Sequence, residues 1–292
     1  MKYFLRNIIY NLYQSNLYYS DEKIRVIDAS NFLKNKFKDK RSILFWTTHK
    51  TASTFIGKVL REFAKNTNYK YLDYASSIWY LGNNISVENP FTIESDCPFL
   101  YKEFGEIYGP LRTPFKIQNI ENFNNIFFLR DPRDLLISSF YSKSYSHELP
   151  PNKFLRDKFL KERQYCIKKG IDYYCLNYID KWIKPIFKNY QEMRLKCKNS
   201  TYISYEYFQK NPSKFIRTLS KNMDIEIGEE VIKRLEKKAI SPFKKKINFK
   251  NNSISHFRSG KSRQFEIEIK EKTLKEINEK LFEILEFWGF DI

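Results

Sequence analysis

The sequence predicts an α/β fold in which a central parallel sheet is flanked by helices. Two buried-strand patterns each run through a polar turn into a helical pattern, and the second half of the chain is largely helical. Strands that alternate with helices favour a parallel sheet, because parallel neighbours need a long crossover. The 292 residues suffice for one large domain. We therefore expect a helical arm over residues 1–40 and a single domain over residues 41–292.

The first corner begins with the apolar run 41–48, R-S-I-L-F-W-T-T, which predicts a strand. Polar residues from His49 to Thr54 form a turn, and Phe55, Val59 and Phe63 then recur at helical spacing. A turn that opens a helix presents free N–H groups at the positive end of the helix dipole, which is a geometry that binds phosphate. The turn contains no glycine, so it resembles a P-loop without being the G-x-x-x-x-G-K-[ST] signature. A Ser/Thr-rich helix cap is the alternative.

The second corner follows the apolar run 125–129, N-I-F-F-L, which predicts another buried strand. The turn is R-D-P-R-D, with Pro132 suited to the first position of a helix. Arg130 ends the strand and Ser138 lies eight residues later. An arginine fork and a hydroxyl can together hold a phosphate, whereas a surface ion-pair cluster of Arg130 to Asp134 is the alternative interpretation.

The remaining elements are simpler. Residues 201–205 predict a third strand, residues 150–240 are otherwise helical in pattern, and residues 266–288 predict an amphipathic closing helix. Before that helix, the loop from His256 to Lys261 combines an arginine, a hydroxyl and a glycine. That loop could hold an anion or be a plain basic turn.

Composition narrows the function further. The chain has 52 Lys+Arg against 34 Asp+Glu, a net charge of +18, so we expect an anionic partner. The four cysteines form no C-x-x-C pair and the three histidines are dispersed, so no metal site is predicted. No stretch has the length of a membrane span and the first 20 residues lack a signal peptide's apolar core. The expected location is cytoplasmic.

Taken together, these motifs resemble those of the PAPS-dependent sulfotransferase family, which has a P-loop-like α/β fold. Residues 48–54, T-H-K-T-A-S-T, look like the loop for the 5′-phosphosulfate, P-K-[ST]-G-[TS]-[TS]. Residues 130–138 are similar to the 3′-phosphate element, R-[ND]-P-[RK]-D-x-x-x-S. Tyr205-Glu206 matches a pair found near the adenine, and residues 258–260, R-S-G, look like the late R-x-G loop. The four elements appear in the family's order.

The resemblance implies PAPS as the cofactor and transfer of a sulfuryl group to a hydroxyl or amine. Lys50 would neutralise charge on the bridging oxygen. The implied cofactor-binding residues are Lys50, Thr51, Ala52, Ser53, Thr54, Arg130, Ser138, Tyr205, Arg258, Ser259 and Gly260.

The catalytic base is the weakest part of the match. Ala52 and His49 replace the usual glycine and proline of the first loop, and no histidine lies between Lys50 and Arg130, where many members carry the base. Candidates for the base are Glu103, Glu106 and His147. Arg112 is a candidate for binding the acceptor.

Two other functions remain open from the sequence. A P-loop kinase of a small metabolite would need a glycine-rich loop and magnesium. A non-catalytic nucleic-acid-binding module would use the positive charge and the aromatic residues. The resemblance implies a hydroxyl-bearing acceptor as the partner, with a glycan among the candidates. Nucleic acid is then not expected, and peripheral membrane contact is left open.

Overall fold

The computed structural model describes residues 40–73, 101–147, 149, 153–198, 200–244 and 261–292. The expected N-terminal arm lies outside the described residues apart from residue 40. The expected loop of Arg258, Ser259 and Gly260 also lies outside them.

A five-stranded parallel sheet forms the centre of the fold. Its strands are β1 (Ile43–Thr47), β2 (Lys70–Leu72), β3 (Glu106–Leu111), β4 (Asn124–Leu129) and β5 (Ser200–Ser204), arranged in the order β2-β3-β1-β4-β5. Every pair of neighbours is parallel, which confirms the predicted fold class. The carboxyl ends of all five strands therefore lie along one edge of the sheet.

Helices connect and cover the strands. They are α1 (Ser53–Lys65), α2 (Pro132–Tyr141), α3 (Lys153–Tyr178), α4 (Lys184–Lys196), α5 (Tyr205–Lys210), α6 (Pro212–Asn222), α7 (Glu229–Lys244), α8 (Phe265–Glu268) and α9 (Glu271–Trp288). Short π-helical turns, Ser142–Ser146 and Ile179–Ile183, follow α2 and α3. Within the described parts of the chain, no helix is both long enough and apolar enough to cross a bilayer.

The alternation of side chains along the strands separates two apolar cores. On one face, Leu44 and Trp46 pack in a cluster that includes residues of α2, α3, α4 and α9. On the other face, Ile43 and Phe45 pack in a cluster that includes residues of α1, α5, α6 and α7. Period-2 alternation produces this division, because successive side chains of a strand point to opposite faces. All five residues of β1 are buried.

Two element boundaries differ from those predicted. The third predicted strand ends at Ser204, whose hydroxyl accepts a hydrogen bond from the Tyr207 N–H at 3.0 Å and caps α5, so Tyr205 begins a helix. The closing helix is broken into α8 and α9, because Lys270 has an extended backbone conformation (ψ 142°).

Candidate active site

The two predicted corners meet at the carboxyl edge of the sheet. Strands β1 and β4 are adjacent, with Thr47 opposite Phe128, so the turns that follow them start side by side. Arg130 Nη1 donates a hydrogen bond to the Lys50 carbonyl oxygen at 3.3 Å. The structure thus brings Lys50 and Arg130 together between the two turns, and we call the site between these turns the cleft.

The first loop is held in an unusual backbone conformation. Lys50 (φ 69°) and Ala52 (φ 50°) both lie in the left-handed region, which costs an alanine about 1–2 kcal/mol and costs glycine far less. This backbone conformation explains on steric grounds why the motif usually has glycine at the position of Ala52. A bond of 2.6 Å between the Thr48 and Thr51 hydroxyls braces the loop. Because α1 begins at Ser53, the N–H groups of its first turn have no helical acceptor.

Lys50 lies inside the cleft with its ammonium group already positioned. Its Nζ donates to the Ser142 hydroxyl at 2.9 Å, which ties the first loop to the π turn Ser142–Ser146 that follows α2. Burial, and then the positive charge of Arg130, lower the pKa of Lys50 to about 8. A partly desolvated ammonium of this kind interacts strongly with an anion that enters the cleft.

Arg130 is buried, with 6% of its surface exposed. Its guanidinium lies 4.7 Å from the centre of the Tyr205 ring and 3.5 Å from the Asp134 carboxylate. Nη2 donates to the Lys261 carbonyl oxygen at 3.0 Å. Its Nε is buried with no hydrogen-bond partner. A buried donor without an acceptor is costly, so Arg130 is suited to an anionic ligand that would supply one.

The late segment of the chain returns to the same corner. The Asp134 carboxylate accepts hydrogen bonds from the N–H groups of Arg263 at 2.9 Å and Gln264 at 2.8 Å. Together with the bond from Arg130 to Lys261, these contacts hold the residues directly after the R-S-G motif beside Arg130.

The second ion pair of the corner is structural. Arg133 is 2% exposed and binds Asp131 with two nitrogens, at 3.0 and 2.7 Å. It also donates to the Asn278 side chain and the Asp291 carbonyl oxygen, and its guanidinium lies 4.0 Å from the centre of the Phe265 ring. The alternative of a surface ion-pair cluster is therefore wrong, since both arginines are buried.

Three further predicted residues lie around this corner. Ser138 is partly exposed in α2, one turn before Ser142. Tyr205 is buried beneath Arg130, where burial raises its pKa. Glu206 accepts a hydrogen bond from the Asp131 N–H at 3.1 Å, and burial raises its pKa to about 7.

Arg112 lies on the other side of the first loop. Its Nε donates to the Ser53 hydroxyl at 3.2 Å, and its Nη1 is 3.9 Å from the carboxylate of Asp73. Asp73 directly follows β2 and is 6% exposed. The sequence analysis missed this residue because β2 has only three residues. The signal was an acid immediately after the short apolar pattern Y-K-Y-L.

His49 is partly buried among positive charges near the cleft. Burial, followed by the positive charges of Arg112 and Lys50, lowers the pKa of His49 to about 3. His147 adds a smaller effect in the same direction, so it lies within electrostatic range of His49. His147 is exposed, and its backbone N–H donates to the Ser142 carbonyl oxygen at 2.7 Å.

The structure does not bring Glu103 or Glu106 to this cleft. The Glu103 carbonyl oxygen accepts from the Ser42 N–H at 2.7 Å, and the Glu106 N–H donates to the Ser42 hydroxyl at 2.9 Å. Ser42 precedes β1, so both glutamates lie at the amino edge of the sheet. Five residues of strand separate that edge from the first loop, a distance of about 16 Å. Glu103 instead accepts hydrogen bonds from Asn119 and Asn122.

Among the residues that the structure describes, no group of His, Cys, Asp and Glu is arranged to hold a metal ion. The first loop also has no glycine for a Walker-type turn.

The fold is similar to those of sulfotransferase-related crystal structures. Retinol dehydratase, in complex with androsterone and the inactive cofactor PAP, is 16% identical over 86% of this chain and 82% of its own, with a TM-score of 0.53. Mouse sulfotransferase SULT7A1, complexed with PAP, is 14% identical over 85% of this chain and 86% of its own, also with a TM-score of 0.53. No curated protein sequence matches the chain significantly.

The family itself is identified at the level of sequence. The profile of the sulfotransferase domain matches residues 116–286, which is more than half of the chain and includes the second corner and the late segment. The chain therefore belongs to the sulfotransferase family.

Proposed function

We propose that this protein transfers a sulfuryl group from PAPS to a hydroxyl group of an acceptor. One observation carries the proposal: the Arg130 guanidinium bonds both the Lys50 carbonyl and the Lys261 carbonyl, so a single cleft joins the first loop, the second corner and the late segment. The similar structures hold PAP, the desulfated nucleotide, which supports PAPS as the donor here.

The cleft has donors suited to both ends of such a nucleotide. The N–H groups at the start of α1, with the hydroxyls of Ser53 and Thr54, would hold the 5′-phosphate. The unpartnered Nε of Arg130 and the partly exposed Ser138 would hold the 3′-phosphate. PAPS supplies, when bound, an activated sulfuryl group on a phosphate leaving group.

Lys50 would stabilise charge on the leaving oxygen. A compact ammonium serves this role well, since sulfuryl transfer, like phosphoryl transfer, depends on positioning and on electrostatic stabilisation more than on covalent chemistry. The bond from Lys50 Nζ to the Ser142 hydroxyl positions the charge before the acceptor arrives.

Asp73 would accept the proton of the acceptor hydroxyl. It is buried at the carboxyl end of β2, and Arg112 links it to Ser53 of the first loop. A carboxylate next to a guanidinium also offers an acceptor and donors side by side, which suits a polyhydroxyl acceptor such as a carbohydrate. His147 is the second candidate for the base, because its backbone N–H bonds the carbonyl oxygen of Ser142, the residue whose hydroxyl accepts from Lys50.

Nucleotide binding is tested by thermal unfolding with PAP and with AMP. A ligand at one hundred times its Kd stabilises the folded form by about 2.7 kcal/mol, which corresponds to a rise in Tm of about 4 °C for a chain of this length. We expect this shift with PAP and a far smaller one with AMP, since AMP lacks the 3′-phosphate. Arg130→Gln should abolish the difference, whereas Lys65→Gln at the exposed end of α1 should not. Equal shifts with both nucleotides in the unmodified protein would refute a 3′-phosphate site.

Transfer is tested with 35S-labelled PAPS and a panel of saccharide, steroid and phenol acceptors. Lys50→Ala should lower kcat by at least about a hundredfold, a typical loss for one charge-stabilising group, and should lower PAP affinity by much less. Asp73→Asn should lower kcat similarly, whereas His147→Gln should have little effect. The opposite result for Asp73 and His147 would assign the base to the histidine.

A further inference from the structure

A second cleft lies beside the bent helix α3. Its volume is about 330 Å³, at the lower end of the range for small-molecule sites. Four tyrosines and two lysines dominate its lining, namely Tyr165, Tyr173, Tyr174, Tyr178, Lys143 and Lys161. We call it the tyrosine cleft.

A bend in α3 creates this cleft. Gly170 has a non-helical backbone (φ 80°, ψ 174°), a conformation open to glycine and strained for other residues. The chain on either side of the bend brings Tyr165 and Tyr173 together, with their hydroxyls 2.9 Å apart. Deeper in the cleft, Tyr174 and Tyr178 stack with their centres 4.2 Å apart and an interplanar angle of 18°. Two pairs of aromatic rings therefore form its walls.

The charge of the cleft is positive. Lys143 donates to the Tyr178 hydroxyl at 2.7 Å and pairs with Glu162 at 2.8 Å, so these two charges largely offset each other. Lys161 adds an exposed ammonium to the lining. Lys169 adds another close by, 5.3 Å from the centre of the Tyr173 ring. This excess disfavours a cationic ligand, although tyrosines alone would suit one.

We infer that the tyrosine cleft binds an acidic saccharide. Tyrosine presents an apolar ring face, which packs on the C–H face of a sugar, together with a hydroxyl for hydrogen bonds. Asn177 and the Tyr165 and Tyr173 hydroxyls provide further donors and acceptors, and the excess of ammonium groups complements a carboxylate or sulfate. This inference does not depend on the proposed transfer reaction.

The tyrosine cleft is connected to the candidate active site through the chain. Lys143 follows Ser142, the hydrogen-bond partner of Lys50, within the same π turn. A saccharide in the tyrosine cleft would therefore contact the residue that directly follows the hydrogen-bond partner of Lys50.

The test is direct binding to the full chain by titration calorimetry without nucleotide. The probe is a hyaluronan tetrasaccharide, which carries glucuronates, and the comparison is the uncharged chitin tetrasaccharide. We expect the acidic probe to bind, and the neutral probe to bind at least about tenfold more weakly. Equimolar inorganic sulfate should displace no more than a small fraction of the bound acidic probe.

Variants locate the binding. Tyr173→Ala removes one exposed ring and should weaken binding about tenfold, the effect of about 1.4 kcal/mol. Lys161→Gln should weaken binding of the acidic probe alone. Phe154→Ala, an equally large change at a ring of α3 that is 76% exposed and outside the cleft, should leave binding unchanged. Tyr173→Phe retains the ring and should retain most of the affinity.

Four results would overturn the inference. The acidic probe could fail to bind, the neutral probe could bind as well as the acidic one, or Tyr173→Ala and Phe154→Ala could have equal effects. Full displacement by equimolar sulfate would also overturn it, because it would indicate a simple anion site. None of these results bears on PAP binding, which the Tm comparison measures separately.

Discussion

The protonation of Lys50 should set the alkaline limit of activity. With a pKa of about 8, in place of the 10.5 of an ordinary lysine, Lys50 is about 90% charged at pH 7 and about 10% charged at pH 9. If its ammonium stabilises the leaving oxygen, kcat/KM for PAPS should fall along a limb centred near pH 8. The limb in kcat should lie higher, since the negative charges of bound nucleotide favour the ammonium form.

The effect of pH on stability through Lys50 is opposite to its effect on activity. Between pH 8 and 10.5 the unfolded chain binds more protons at Lys50 than the folded protein does. The contribution of Lys50 to the free energy of unfolding therefore rises with pH over that range. A loss of activity there cannot come from destabilisation by Lys50.

The assay is the steady-state rate of transfer between pH 6.5 and 10, with stability followed in parallel. Lys50→Arg is the matched variant, because its guanidinium stays charged throughout. Its remaining activity should lack the alkaline limb. A flat profile for the unmodified protein from pH 7 to 9.5, or the same limb in Lys50→Arg, would refute the assigned role.

Four further changes test the rest of the site. Ser142→Ala removes the hydrogen-bond partner of Lys50 and should lower kcat about tenfold, with PAP affinity within about twofold, as measured by initial rates and calorimetry. Ala52→Gly relieves the left-handed backbone strain and should raise the free energy of unfolding by roughly 0.5 kcal/mol, after allowance for the greater freedom of glycine in the unfolded chain. Denaturant titration measures this change, and a clear decrease in the free energy of unfolding would contradict the prediction. Arg133→Lys breaks the bidentate pairing with Asp131 and should lower the free energy of unfolding by about 2–4 kcal/mol without a specific loss of PAP affinity. A selective loss of PAP affinity would instead place Arg133 in the nucleotide site. Burial raises the folded-state pKa of Glu206 to about 7, so its contribution to stability is fully present below about pH 4.5 and is lost as the pH rises through 7. Glu206→Gln should therefore flatten the profile of unfolding free energy between pH 5 and 8. An unchanged slope would exclude Glu206 as the source of this pH dependence.

The sequence predicted the elements whose pattern is strong and local. Strands β1 and β4 are continuous apolar runs, and each is followed by a turn whose residue types match a helix start. Their proximity was implied by the family resemblance, in which both corners bind one nucleotide, and it agrees with the rule that the carboxyl ends of parallel strands share one edge. That is why Lys50 and Arg130 could be placed together without a structure.

The sequence failed where a pattern was short or interrupted. Strand β2 has three residues, and β3 contains Gly109-Pro110, a pair that ordinarily argues against a strand. Without these two strands, the distance from Glu103 to the first loop could not be judged and Asp73 had no position. Only the family resemblance separated Arg130 from Arg133 in the sequence, and tertiary contacts supply the physical difference: Arg133 pairs internally, whereas Arg130 has an unpartnered nitrogen.

The contacts of Asp134 have a consequence for how the protein is made. Residues 263 and 264 are translated well over one hundred residues after the corner that they complete. A nascent chain that has produced only the sheet would therefore carry an unfinished nucleotide cleft with a buried carboxylate lacking its backbone partners. Nucleotide should thus be unable to assist early folding on the ribosome, and its stabilising effect should begin only once the late segment has emerged.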